Sequence, residues 1–187
     1  MNKKFLYGVG QVLFRDFVVG YIKKDSFDMG GVKPEVSKIY AEQLAGTAAL
    51  VIPQSNGSIA PNFVLIQLDY ANLHKALGGT LHYAPADTAK QTPIGWTAPK
   101  QVLKLEGPWR IDLVSGQSIL IANAVLLSNL GGKLTLKETA EIPCTLELQP
   151  AETGDDFGII DTTEIPEQWI SSYEIPSDDL FPTVQEG

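Results

Sequence analysis

Cysteine is nearly absent from this chain: Cys144 is the only one in 187 residues, so no disulfide can form within it. At this length none is needed, because a domain of this size buries roughly 70% of its unfolded surface. Cys144 sits in the apolar-alternating run IPCTLEL and reads as a small buried hydrophobe rather than a nucleophile. Histidine is almost as scarce. His74 and His82 have no second His or Cys at ligand spacing, which removes the usual zinc sets. Arginine is limited to Arg15 and Arg110. No run approaches the ~18 to 20 apolar residues that span a bilayer. The opening MNKKFLYGVGQVLFRDF imitates a signal peptide for seven residues, but Gly8 and Gly10 loosen it and Gln11, Arg15 and Asp16 end it. A soluble chain with no membrane partner is expected.

Positive charge is missing from one part altogether. No Lys or Arg follows Lys137, whereas thirteen acidic residues do, from Glu138 to Glu186. The first 137 residues are net +5 and the remainder −13, within a total of −8. Phosphate contact needs cations, so the C-terminal part is unsuited to gripping nucleic acid. It suits a solvated tail, a surface that repels DNA, or a dock for a basic partner.

Catalytic patterns are missing too. There is no Gly-x-Ser-x-Gly, P-loop, dinucleotide fingerprint or Cys-x-x-Cys, and Gly8-Val9-Gly10 has no βαβ unit around it. Asp155-Asp156 and Asp178-Asp179 lack the alternating oxygen-donor spacing of a calcium loop. Glu106, in LKLEGPW near Trp109, is the nearest candidate for a desolvated carboxylic acid, and reads as a turn residue. His74 falls near the solvent edge of a short helix. No catalytic residue, cofactor or metal ligand is assigned, and a non-enzyme is expected. Tyr7, Phe14, Phe17, Tyr21, Tyr40, Phe63, Tyr70, Trp96, Trp109 and Trp169 read as core and interface anchors, with so little arginine beside them.

What is present is mostly strand signal. Residues 11–22 are rich in β-branched and aromatic types, Val36 to Gln43 alternates, and Ala48 to Ile52 is a short apolar run ended by Pro53. Asn56-Gly57 is a turn signal. Asn62 to Leu68 is apolar nearly throughout and reads as buried on both faces. Asp69 can then cap a helix, with Tyr70, Leu73 and Leu77 on one stripe and Gly78 as its stop, predicting one short helix at about 69–77. Residues 80–99, with three prolines and no period, read as a long loop. Further strands are expected at Gln101 to Leu105, Trp109 to Leu113, Ser118 to Leu127, Lys133 to Thr139 and Pro143 to Leu148, and Phe157 to Ile160 can add a last one. This spacing predicts a mainly β fold, an antiparallel β-sandwich or incomplete β-barrel with one short flanking α-helix. The organisation expected is a β domain over 1–150, with an N-terminal arm and first strand at 1–30, and an acidic C-terminal arm over 151–187.

The order of VVGYIKKDSFDMGGVKPEV, then EVSKIYAEQLAGTAALVIPQSNG, then NFVLIQLDY running into NLHKALGG resembles the tail tube proteins of long-tailed bacteriophages. The second half, VLKLEGPWRIDLVSGQSILIANAVLLSNLGGKLTLKETAEIPCTLELQP, is similar to theirs as well, so the resemblance covers Val18 to Pro150. It implies a non-catalytic virion structural protein of a phage or prophage, made in the bacterial cytoplasm. Six copies would form a ring, and rings would stack into a tube whose acidic lumen passes DNA without binding it. Its partners would be itself and other tail proteins such as tape measure and terminator. The N-terminus, the 80–99 loop and the acidic C-terminus would be arms reaching the next subunit or ring. Two alternatives stand beside this reading: a tail completion or adaptor protein of related fold, and a small-ligand or carbohydrate-binding β-sandwich using the Trp96 to Trp109 segment as an aromatic platform.

Overall fold

The computed structural model describes residues 5–15, 17–40, 42, 46–55, 57–85, 92–101, 105–136, 138–151 and 154–166. Its strands are β1 (Val9–Phe14), β2 (Phe17–Val18), β3 (Val36–Tyr40), β4 (Ala48–Pro53), β5 (Asn62–Leu65), β6 (Thr80–Tyr83), β7 (Pro93–Thr97), β8 (Leu105–Leu113), β9 (Gln117–Ser128), β10 (Gly131–Gly132), β11 (Ala140–Leu148) and β12 (Phe157–Asp161). One α-helix, α1 (Tyr70–Leu77), lies between β5 and β6. Among the described residues the chain forms the expected mainly β, antiparallel architecture with a single short α-helix.

β9 is the spine. Its twelve residues pair with β8 along one edge, and the other edge is divided between two strands. β12 takes the first half (Phe157 opposite Ile121) and β11 the second (Leu148 opposite Ala124). β8 continues to β1 and β1 to β2, while β11 continues to β5, with β10 opposite the start of β11. The optional last strand at 157–160 therefore exists and carries the sheet past Pro150.

The sheet then curves back on itself. Just after β2, Val19 N–H donates to the Val12 carbonyl of β1 at 3.0 Å. A few residues later the same segment reaches the other end of the sheet. Lys23 N–H donates to the Val64 carbonyl at 2.8 Å, Ile66 N–H to that of Tyr21 at 3.0 Å, and Asp28 and Asn62 exchange bonds at 2.9 and 2.8 Å. Residues 17–28 thus link β1 to β5 and make an incomplete barrel. Val12, Phe14, Phe63, Leu65, Trp109, Ile111, Ile121, Leu126, Ile142 and Leu146 fill it.

α1 forms where the sequence places it. Asp69 Oδ1 accepts from Asn72 N–H at 2.9 Å, and Gly78, at φ 75°, closes the helix with its N–H on the His74 carbonyl. Two late carbonyls are taken up by side chains from elsewhere in the fold: Ser128 Oγ donates to Ala76 O and Trp96 Nε1 to Gly78 O, both at 2.7 Å. The buried face is Asn72, Leu73 and Ala76 with Leu77 packed beside it; of the expected stripe only Tyr70 departs, being exposed.

Four other local expectations are corrected. Residues 80–99 are no open loop, because β6 and β7 pair as a hairpin (Leu81 opposite Trp96) that lies on α1. Glu106-Gly107-Pro108 does not separate two strands. It is a register shift inside continuous β8, where Pro108, with no N–H to give, accepts from Arg15 N–H. Lys133 to Thr139 is not a strand: Thr135 and Glu138 turn on each other, and Lys137 lies outside the described residues. β5 alternates rather than being buried on both faces, with Phe63 and Leu65 inward and Asn62 and Val64 half-exposed.

Because Leu73 is packed into this core, Leu73→Ala is expected to lower stability by ~2 to 5 kcal/mol in urea unfolding. A loss far below ~1 kcal/mol would mean that α1 does not close the barrel as described.

Candidate assembly surface

Residues weighed for chemistry are absorbed into the structure. Trp109 is 1% exposed, rests against Phe14 with ring centroids 4.8 Å apart, and donates Nε1–H to Ala124 O at 3.1 Å. Trp96 is half-buried with its N–H on Gly78 O. Buried Trp109 has no face to present, so the Trp96 to Trp109 segment does not form the aromatic platform the ligand-binding alternative required. Glu106 is half-buried within β8, and its backbone carbonyl accepts from Arg15 Nη2 at 3.2 Å. Arg15 also lies over the Phe14 ring, 5.1 Å from its centroid, and burial lowers the pKa of its guanidinium.

Arg110 pairs with Asp112, Nε to Oδ1 at 3.1 Å. Asp112 also accepts from Gln11 and from Ser118, both at 2.7 Å. Both arginines of the chain are therefore engaged internally. Asp156 Oδ1 caps a turn by accepting from Ala151 N–H at 2.6 Å, while Asp178-Asp179 and Trp169 lie outside the described residues. His74 is half-buried on α1, and exposed His82 Nε2 bonds Thr97 Oγ1 across the β6–β7 hairpin. Among the described residues no group of three or more His, Cys, Asp or Glu is placed to hold a metal ion, and no helix is long and apolar enough to cross a membrane. Cys144 is buried in β11, and desolvation pushes its thiol up to about 12.

The feature that calls for a partner is the β3–β4 hairpin. Among the described residues its strands pair only with each other, Ser37 opposite Ile52, Lys38 opposite Val51 and Ile39 opposite Leu50. Facing pairs share a side of the ribbon, so Ile39, Leu50 and Ile52 line one face while Val36, Tyr40 and Val51 line the other with Lys38. All six apolar residues are between 40% and 61% exposed. An isolated two-stranded ribbon is marginal in water, and a contiguous apolar surface on a protein marks an interaction site.

A narrow neck ties the ribbon to the barrel. Val32 and Ser58 exchange backbone bonds at 3.0 and 2.9 Å, and Gln54 N–H donates to Glu35 O at 2.7 Å. At Gly31, φ +93°, an added Cβ would stand 2.0 Å from Ser58 O, so only glycine lets the two strands of the neck meet. The Gly30-Gly31 pair visible in the sequence is thus the root of the hairpin. The Asn56-Gly57 signal marks this root rather than the tip, with Gly57 packed against Val32 O and Asn56 outside the described residues.

Most of the exposed aromatics lie outside the hairpin: Tyr7, Phe17, Tyr21 and Tyr70 are all on the surface. The sequence marked these as anchors but could not separate them from Phe14 and Phe63, which are core. No protein-family model matches the chain, and no curated protein is detectably similar to it.

Two outcomes follow from the buried residues. Trp109→Ala is expected to cost ~3 to 5 kcal/mol of stability in denaturant titration without changing oligomeric state. For Cys144 the folded thiol ionises at about 12 against 9.0 normally. Its contribution to stability is complete below the lower value and is lost as pH rises toward the upper one, because only the unfolded thiol ionises there. Stability measured across that window should fall less steeply in Cys144→Ala than in the wild type.

Proposed function

We propose that this chain is a structural subunit of a bacteriophage or prophage tail tube, working by self-assembly into rings that stack around a DNA channel. The observation that carries the reading is the β3–β4 hairpin, a ribbon with exposed apolar residues on both faces and, among the described residues, no strand beside either edge, joined to the barrel by a glycine neck. Open strand edges are templates for pairing with another chain, and ring closure is a way of using them up. A neighbouring copy would cover one face of the ribbon and extend its sheet, so that ribbons from all copies make one closed inner wall.

The order of elements from Val18 to Pro150 supports the same reading. So does the charge: with Arg15 held over the Phe14 ring, Arg110 paired with Asp112 and an excess of acid overall, the subunit is suited to letting DNA pass. Six copies to a ring, with tape measure and terminator proteins at the tube ends, is the assembly this implies.

Negative-stain electron microscopy of concentrated protein, with light scattering on the same sample, is the direct test. Rings or stacked tubes with an open channel are expected. Val51→Asp, which buries a charge in the proposed wall while leaving the barrel untouched, should abolish rings with an unchanged circular dichroism spectrum. A wild type that stays monomeric at every concentration, or rings indifferent to the new charge, would count against the reading.

A further inference from the structure

β11 and β12 are two parts of one line. Both run antiparallel to β9 along the same edge, with Leu148 opposite Ala124 and then Phe157 opposite Ile121. The ladder carries on between them. Gln149 N–H donates to Asn123 O at 2.9 Å, and Ala122 N–H donates to Asp156 O at 3.0 Å. Gln149 and Asp156 are thus partners of neighbouring residues on β9, yet residues 150–155 stand between them in the chain. An uninterrupted strand would cover the same edge without them. Pro150, Gly154 and Asp155 of this excursion are exposed and Ala151 is half-buried, while 152 and 153 lie outside the described residues. A bond from Ala151 N–H to Asp156 Oδ1, 2.6 Å long, closes its mouth.

The excursion gives β12 a reach that its place does not use. Seven chain steps from Gln149 to Asp156 extend to about 25 Å, at ~3.3 to 3.6 Å each. The two ladder positions they join are one residue apart, ~3.4 Å along β9. β12 is also lightly held. None of its five residues is fully buried, although Phe157 packs at the margin of the core. Among the described residues it pairs with β9 alone. The stretch of β9 that it covers, residues 117–121, is buried at every position. That edge needs a strand beside it, and the strand it has is on a slack tether.

We propose that β12 is exchanged between copies, the strand of one lying along β9 of the next in the same register. The fit of this occupant is already visible, because any copy's β12 reproduces the ladder from Phe157 opposite Ile121 to Asp161 opposite Gln117. The bond between Ser118 Oγ and Thr162 Oγ1 at 2.8 Å, and that from Thr162 N–H to Gly116 O at 3.0 Å, are remade with it. The home and exchanged arrangements differ in the tether. Exchange gives up the Ala151–Asp156 bond and gains a chain connection from copy to copy. Trading an identical element in this way is a low-cost route to association. In a lone copy its own strand is nearest; beside a second β9 within about 25 Å, the tether reaches either. From the tube reading the inference takes only that copies associate, and it supplies a link that threads each into the next.

The test uses two full-length chains made together in one cell. One carries Ile119→Cys and a fused tag that alters its size; the other carries Ile159→Cys. Positions 119 and 159 face each other. The ladder bonds at 122–156 and 116–162 make them a non-hydrogen-bonded pair, with Cα atoms ~4.5 Å apart, within disulfide range. Ile119 is only 3% exposed, so a thiol there is shielded from chance collisions. After oxidation with glutathione disulfide, non-reducing gels should show a species joining tagged to untagged chain, which reductant removes. A tagged chain without the Ile119 change is the control, since every chain also carries Cys144. Deleting residues 151–155 from the Ile159→Cys chain leaves its own β9 in reach but not a neighbour's, and should abolish the mixed species. Circular dichroism checks that each variant keeps its fold, and one chain carrying both cysteines shows where the disulfide goes when nothing is mixed.

A mixed species that disappears with the shortened tether supports exchange, and if no rings accompany it the tube reading falls alone. Rings without the mixed species, where the chain carrying both cysteines links only to itself, overturn exchange and leave the tube reading standing. A mixed species that survives the shortened tether also overturns exchange. Neither mixed species nor rings removes both.

Discussion

Everything in this molecule depends on the return of the segment 17–28 to the far side of its own sheet. A curved sheet running from β5 through β11, β9, β8 and β1 to β2 would otherwise end in two exposed edges. One stretch of chain satisfies both, giving its N–H groups to Val12 at one end and Val64 at the other. Closure creates an interior, and Trp109, Phe63, Ile111 and Ile142 fill it. α1 and the β6–β7 hairpin then pack against it and contribute Leu73, Ala76 and Trp96 to the core or its margin. With the main sheet curved back on itself and the β6–β7 hairpin lying on α1, the β3–β4 ribbon stands out for the apolar residues it leaves exposed.

Much of this was legible beforehand, and the errors have physical causes. Short strands, turn residues and the Asp69–Gly78 helix were readable because period and caps are local properties. Pairing is not local, so nothing in the run SILIANAVLL announces that β9 has three partners. The bulge at Gly107-Pro108 reads as a break because Pro and Gly usually end strands; here Gly107 instead gives the Arg15 guanidinium room to lie against the backbone. The alternation in Lys133 to Thr139 suggests a strand, yet the turn through Thr135 bends it away from any neighbour. The assembly surface was half legible. The Gly-Gly root and two apolar strands can be seen in the sequence, but the same apolar pattern would describe a strand in the core. Only the folded structure separates exposed Ile39 and Val51 from buried Ile111 and Ile121.

The polar groups divide along similar lines. Asp112 gathers Arg110, Gln11 and Ser118 into a connected set, with Thr162 one hydroxyl further on, beside the start of β9. Such a set ties β1, β8, β9 and the turn after β12 together at one end of the barrel. The ribbon is the opposite case. It has few contacts with the body, and its order as part of a wall would come largely from its neighbours.

The connectivity also sets a sequence of events in folding. β1 pairs with β8, Val9 opposite Leu113, and β9 is complete only when β12 lies beside it. The barrel is therefore built from contacts distant along the chain, which form slowly. The β3–β4 ribbon joins neighbouring residues through a short connection, and such hairpins form on the order of microseconds. The apolar ribbon thus begins to form, as a marginal hairpin, before the body that carries it. During synthesis an apolar ribbon is exposed on a chain whose barrel cannot yet close. Lys38, set among Val36, Tyr40 and Val51, then acts as a gatekeeper: a charge on that face discourages ribbons from stacking on one another before each has a finished barrel behind it.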